Sequence, residues 1–116
     1  MKTLLFEHQG IAEADLDRVL QWHRKSLAGH DVEESAGRTV FFHQGGWWYR
    51  GETTVEPDPL GVRITYRVFN VATRLRWAVP LANRFFSGAR EEYADGFAAG
   101  LRRLGDDLGV SAHPLT

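Results

Sequence analysis

The chain predicts an α+β fold, one antiparallel β-sheet packed against a long C-terminal α-helix. Three observations carry that prediction. Residues 88–109 place Tyr93, Phe97, Leu101, Leu104 and Leu108 on one stripe at helical spacing. Three runs, 38–44, 47–56 and 61–71, alternate like strands and are joined by QGG (44–46) and PDPLG (57–61), both strong turn signals. At 116 residues and 43% hydrophobic content the chain is long enough for one core and too short for two, so 1–116 reads as a single domain.

The remaining elements follow in order. KTLLFEH at 2–8 reads as a first strand, with Leu4 and Phe6 on one face and Leu5 on the other. Residues 12–28 read as a helix, because Leu16, Val19, Leu20, His23 and Leu27 share a stripe and acids occupy the first turns. Gly29 ends it, and GHDVEESAG at 29–37 reads as a polar loop. In 72–87, Leu75, Trp77 and Val79 alternate like an edge strand, and Leu81 to Phe86 reads as a helical turn. Ser87 is the expected N-cap of the last helix and Gly109 its stop.

The densest chemistry lies in HQGGWWYRGE, residues 43–52. Strand parity sorts it, since side chains alternate between the two faces of a sheet. With Val55 opposite Val62, one face carries Trp47, Tyr49, Gly51, Thr53, Val55, Val62, Ile64, Tyr66 and Val68. The other carries Trp48, Arg50, Glu52, Thr54, Arg63, Thr65 and Arg67, a solvated face of cross-strand charge pairs. A two-residue QGG loop adds Val40 and Phe42 to the apolar face and turns His43 outward, where it is dispensable. Gly51, in mid-strand, marks either a bend or room for another group. Gly96 and Gly100, flanking Phe97, serve either close helix–sheet packing or ligand space.

Composition and motifs exclude much. The net charge of −1 gives no pull toward nucleic acid or an anionic membrane, and no stretch approaches the roughly 20 apolar residues that span a bilayer. No secretory signal stands at the N-terminus, so a cytoplasmic location is the default. There is no cysteine, and His8, His23, His30, His43 and His113 show no HxH or HxxxH spacing, so no metal and no cofactor is expected. No GxSxG elbow and no Gly-rich phosphate loop occurs. His23, on the first helix's apolar stripe, reads as a hydrogen-bonded core residue. Between Pro59 and Arg90 lie Arg63, Arg67, Arg74, Arg76 and Arg84 with no acid, either a solvated face or a basic rim in which Arg74, Arg76 and Arg84 receive an anionic head group.

Three segments, IAEADLDRVLQW, VEPDPLGVRITYRV and RLRWAVPLANRFFSGAREEYADGFAAGLRRLGDDLG, carry a resemblance. They are similar to the START-type, polyketide cyclase/dehydrase-like superfamily (SRPBCC), of which this chain looks like a short member. The resemblance implies a helix-grip fold, a curved antiparallel sheet wrapping the final helix, with a cavity between them for an apolar molecule. Some members of that superfamily are enzymes and many only bind. The expected ligand set is Phe42, Trp47, Tyr49, Thr53, Tyr66, Tyr93, Phe97 and Gly100, with Arg74 and Arg76 at the rim. Binding of a small hydrophobic or amphipathic molecule is the first expectation. A cyclase/dehydrase-type enzyme on the same scaffold is the second, and a dimerising structural protein with a filled core the third. An exposed sheet edge and an outward Trp48 predict a homodimer. A ferredoxin-like βαββαβ fold is the rival topology; it needs a strand after the second helix, for which VSAHPLT is a poor candidate.

Overall fold

The computed structural model describes residues 2–73 and 89–115. Its elements run β1 (Thr3–Ala12), α1 (Leu16–Ser26), β2 (Asp31–Ser35), β3 (Arg38–Gly45), β4 (Tyr49–Asp58), β5 (Gly61–Asn70), α2 (Ala89–Leu108) and β6 (Ala112–Leu115). The strands form one open, curved antiparallel sheet in the order β2-β3-β4-β5-β1-β6. The fold is therefore α+β, as its hydrophobic patterning predicts. The edge strand ending at Val79, the Leu81–Phe86 turn and the Ser87 cap fall at 74–88, outside the described residues.

One face of the sheet carries both helices. Ala12, Phe41, Val55, Val62 and Ile64 from the strands pack with Val19 of α1 and with Leu101 and Leu104 of α2. The stripe of α2 follows the inner face of β1. Tyr93 packs on Phe6 with ring centroids 5.3 Å apart, Phe97 stacks on His8 at 6.0 Å, and Leu101 lies over Gly10. A Cβ at Gly10 would stand 2.5 Å from Leu101 Cδ1, so this close approach needs glycine. Helix α2 ends at Gly109, in the left-handed region at φ +67°, with Val110 N donating to the Gly105 carbonyl at 3.0 Å. Arg18 donates to the Leu108 carbonyl at 2.7 Å, and Trp22 Nε1 to Asp107 Oδ2 at 2.7 Å, so α1 is tied to α2 at that helix's C-terminal end.

Four sequence expectations need correction. Residues 31–35 form a strand rather than part of a loop, because Ala36 (φ +47°) and Gly37 (φ +80°) make a two-residue turn between Ser35 and Arg38. Positive φ at both central positions gives the twist that a tight hairpin requires. Residues 112–115 also form a strand, antiparallel to β1, so the terminal strand of a βαββαβ arrangement is present. Among the described residues four strands, not two, lie between the helices, which departs from that arrangement. Strand β1 runs to Ala12, so α1 begins at Leu16, later than expected. Finally, β4 and β5 pair two residues out of the expected register, with Val55 opposite Ile64 and Pro57 opposite Val62. The turn closes over Pro59 and Leu60 alone, helped by Asp58 Oδ1 accepting from Leu60 N at 3.0 Å. A slip of two preserves which face each residue occupies.

The face away from the helices is a ladder of charges. Glu52 accepts from Lys2 and Arg50, each at 2.7 Å, Arg67 pairs with Glu7 at 2.6 Å, and Arg38 pairs with Glu56 at 3.2 Å. Burial alone would raise the Glu52 carboxyl, but hydrogen bonds and charge from Lys2 and Arg50 outweigh it and hold the group low. Both outer strands carry features that discourage pairing with a second chain: acids at 31, 33 and 34 in β2, and Pro114 in β6. Among the described residues no helix is long and apolar enough to cross a membrane.

Ala36 holds a conformation that costs an L-residue with a Cβ about 1 kcal/mol or more. Replacing it by asparagine, which favours this turn, is expected to raise stability in urea unfolding by roughly 0.5–1 kcal/mol.

Candidate functional site

Between the sheet, α1 and the flank of α2 that faces α1 lies a cavity of about 330 Å³. Thr53, Ile64 and Tyr66 form its floor, and Trp22, His23, Ser26 and Leu27 of α1 form one wall. The other wall is the α2 flank, from Glu92 and Tyr93 through Gly96, Phe97 and Gly100 to Arg103 and Leu104. Its volume lies at the lower end of the range for small-molecule sites.

The glycines of α2 account for the space. A Cβ added at Gly96 would meet nothing within 4 Å, and one at Gly100 only the Arg103 guanidinium at 3.8 Å. Of the two readings open from sequence, close helix–sheet packing and ligand space, the first does not hold at either position. The close contact that a helical glycine suggested is supplied by Gly10 in the strand instead.

All three tyrosines of the chain gather at one end of the cavity. The hydroxyls of Tyr49 and Tyr66 are 2.7 Å apart, and the Tyr66 ring lies 6.3 Å from Tyr93 and 6.4 Å from Phe97, stacked on the latter. One hydroxyl proton bridges the two oxygens, which leaves the second free to donate to a third group. Burial, and then the Tyr49 hydroxyl, push the Tyr66 phenol above its ordinary range. Burial also raises Tyr93, with Tyr49 and Glu92 adding to the effect. These phenols therefore stay protonated at neutral pH and act as hydrogen-bond donors, not as bases. Gly51 exists for this pair. Tyr49 folds back over its own strand to reach Tyr66, and a Cβ at Gly51 would run into the Tyr49 hydroxyl.

His23 is the functional group that sequence reasoning missed as a cavity residue. Parity applied to the strands found no imidazole on the inner face, yet His23 arrives from α1 and lines the cavity. It is 5% exposed, stacks on Phe41 at 5.8 Å and meets Trp22 edge-on at 4.9 Å. Its Nδ1 lies 2.8 Å from the Val19 carbonyl, which accepts only from a protonated nitrogen, so the neutral ring carries its proton there. Burial, partly offset by that bond, lowers its pKa. The signal was present in the sequence: a histidine on an apolar helical stripe that faces the sheet.

Of the expected ligand set, Thr53, Tyr66, Tyr93, Phe97 and Gly100 line the cavity, and Tyr49 backs Tyr66. Phe42 does not join them. It points to the charged face, with the Arg50 guanidinium 4.3 Å above its ring. The reason is the β3–β4 loop, which spans Gly46, Trp47 and Trp48 between the paired Gly45 and Tyr49. Three loop residues instead of two reverse the parity of β3, so Phe41 is the buried core ring and His43 shares the helix face. His43 lies 6.5 Å from Tyr49 and 5.6 Å from His30, so its expected outward placement beside Arg50 is corrected as well. Trp47 sits in that loop, 44% exposed and off the cavity wall, and Trp48 turns edge-on to Tyr49. Arg74, Arg76 and Arg84 lie outside the described residues.

Among the described residues no group of three or more His, Asp or Glu could hold a metal ion. Comparison of the chain with protein-family models, with curated proteins and with solved structures gives no match in any of the three.

Two outcomes are expected. Gly51→Ala should displace the Tyr49 hydroxyl and cost about 1 kcal/mol, one lost hydrogen bond, in urea unfolding. In a Tyr49→Ala background the same substitution should cost almost nothing, since the group it strikes is gone. For His23, the unfolded chain takes up a proton near pH 6.5 and the folded chain only below that. The resulting stability is present above pH 6.5 and is lost as pH falls through the lowered folded value. Unfolding measured at pH 7.5 and at 5.5 should show the loss in the wild type and a smaller one in His23→Phe.

Proposed function

We propose that this protein binds a small hydrophobic or amphipathic molecule in the cavity between its sheet and C-terminal helix. The observation that carries the reading is the pair of helical glycines, Gly96 and Gly100, opening onto unfilled space beside Tyr93, Phe97, Leu101 and Leu104. Each costs the helix about 1 kcal/mol relative to alanine, and vacant space of that kind has no value to a solid core. The apolar body of the ligand lies among Trp22, Tyr66, Tyr93 and Phe97. A carbonyl or hydroxyl oxygen accepts from the phenol pair, and Thr53 offers a further polar contact. In this reading the fold is a helix-grip of the START-type, SRPBCC kind, supported by the succession, among the described residues, of one strand, a helix, four strands and a long helix on the inner face.

The second reading is a cyclase/dehydrase-type enzyme on the same scaffold. One observation favours it: a neutral imidazole lines the cavity together with hydroxyl donors, the minimum for general acid–base work. Recovery of a bound aromatic ketone unaltered after prolonged incubation, checked by mass spectrometry, decides for binding.

Gly100→Leu tests the cavity directly. Its side chain enters open space, and the better helix propensity is worth up to about 1 kcal/mol. Melting temperature should hold or rise while binding of 2-acetonaphthone, followed by calorimetry, is lost. A clear fall in melting temperature, the mark of overpacking, would count against the cavity and against both readings.

A further inference from the structure

Tyr66 with its partner Tyr49, the hydroxyls of Thr53 and Ser26, the charges of Glu92 and Arg103, and His23 all bring polar groups to this cavity, and they differ in what they ask of a ligand. The Tyr49–Tyr66 pair has a proton to give. Arg103 has charge to give, but it is exposed, so water competes for anything it holds. His23 differs from both in being buried and fixed, with a lone pair and no proton at Nε2, whereas the exposed Glu92 carboxylate is solvated and the Thr53 and Ser26 hydroxyls can rotate to donate or accept. Its Nδ1–H is committed to the Val19 carbonyl, which leaves Nε2 as the acceptor nitrogen of a ring that lines the cavity. No described residue bonds Nε2. Among the described residues His8 Nε2 is the one side-chain atom both sealed from solvent and unpaired, so His23 Nε2, equally unpaired, stays open to an occupant.

We infer that His23 makes the cavity selective for a neutral ligand with a hydroxyl or N–H donor on its apolar body, seated on His23 Nε2, and an acceptor oxygen directed to the tyrosine pair. The inference rests on the cavity reading above and specifies the chemical class of its occupant. Its physical basis is an asymmetry of burial. An apolar ligand that covered Nε2 would strip it of water and return nothing, whereas a donor restores the lost bond. A carboxylate would place its lone pairs against that of Nε2. The ring has no second orientation to offer, because Phe41 and Trp22 fix it on two sides and Val19 holds its other nitrogen.

A pair of probes of nearly equal size makes the test a matter of sign. In 6-hydroxy-2-acetonaphthone the 6-position carries a donor, and in 6-methyl-2-acetonaphthone it carries a methyl group that cannot donate. A purely apolar cavity prefers the methyl compound, which leaves water more readily. A cavity with an open acceptor prefers the hydroxyl, by roughly tenfold in Kd when the bond is made in a desolvated site. We expect the hydroxyl compound to bind the wild type more tightly by calorimetry, and His23→Phe to reverse the order. His23→Gln, which keeps an acceptor oxygen, should retain part of the preference. The wild-type Nε2 nitrogen-15 resonance should move with the hydroxyl probe and not with the methyl one, a readout that needs no variant to fold. Equal or tighter binding of the methyl probe overturns the role of His23 and leaves the cavity reading standing. A hydroxyl preference that survives in His23→Phe, or a stationary Nε2 resonance, overturns it as well. Failure of both probes to bind overturns both readings.

Discussion

Helix α2 advances about 6 Å in four residues, and strand β1 about 6.8 Å in two. The near match lets Tyr93, Phe97 and Leu101 seat in succession on Phe6, His8 and Gly10, one helical turn for each inward-facing strand residue. The rest of the architecture depends on that register. It commits one stripe of the helix to β1, so the adjacent flank, with Gly96 and Gly100, is turned toward α1 and cannot reach the sheet. The glycine at position 10 takes up the closest contact, where the helix is nearest the strand. With a Cβ there, the Leu101 side chain would have to move off the strand and the helix could not seat as closely.

The cavity is apolar without being chemically blank. Its walls hold no buried carboxylate, and the sheet's charges are confined to the far face in pairs such as Glu7–Arg67 and Glu52–Arg50. Inside, burial works on uncharged groups: it keeps the phenols protonated and the imidazole neutral. The interior therefore offers a spare phenolic proton near its tyrosine end and a lone pair at His23, while the charges of Glu92 and Arg103 stand at its exposed side.

What the sequence revealed and what it hid both have physical causes. The α2 stripe was legible because five apolar residues at helical spacing have one consistent burial solution. The faces of β4 and β5 were legible because an error of two residues in register leaves parity intact. Strand β3 was not, because its parity depends on the length of a loop in which Gly45, Gly46 and Trp47 could each close the hairpin. Phe41 and Phe42 are adjacent and identical, so hydrophobicity could not choose between them; the odd loop did. Strand β2 was hidden by its acids, which suit an exposed edge and resemble a loop in composition. One wall of the cavity came from α1, and a stripe that packs on a core looks the same in sequence as one that borders a gap.

Among the described residues, the side-chain hydrogen bonds between the helices, Arg18 to the Leu108 carbonyl and Trp22 to Asp107, lie at the C-terminal end of α2. The two helices are thus fastened like the arms of a pair of tongs, with the pivot beyond Leu104. Tyr93 stands about 22 Å along the helix from Leu108, so a swing of about 5° at the pivot carries its ring by roughly 2 Å. The same swing hardly disturbs Leu104, which has 0% exposure in the core. The aromatic wall of the cavity and the tightly packed core thereby sit at opposite ends of a single helix, so a displacement at the Tyr93 end would leave the packed end almost unmoved.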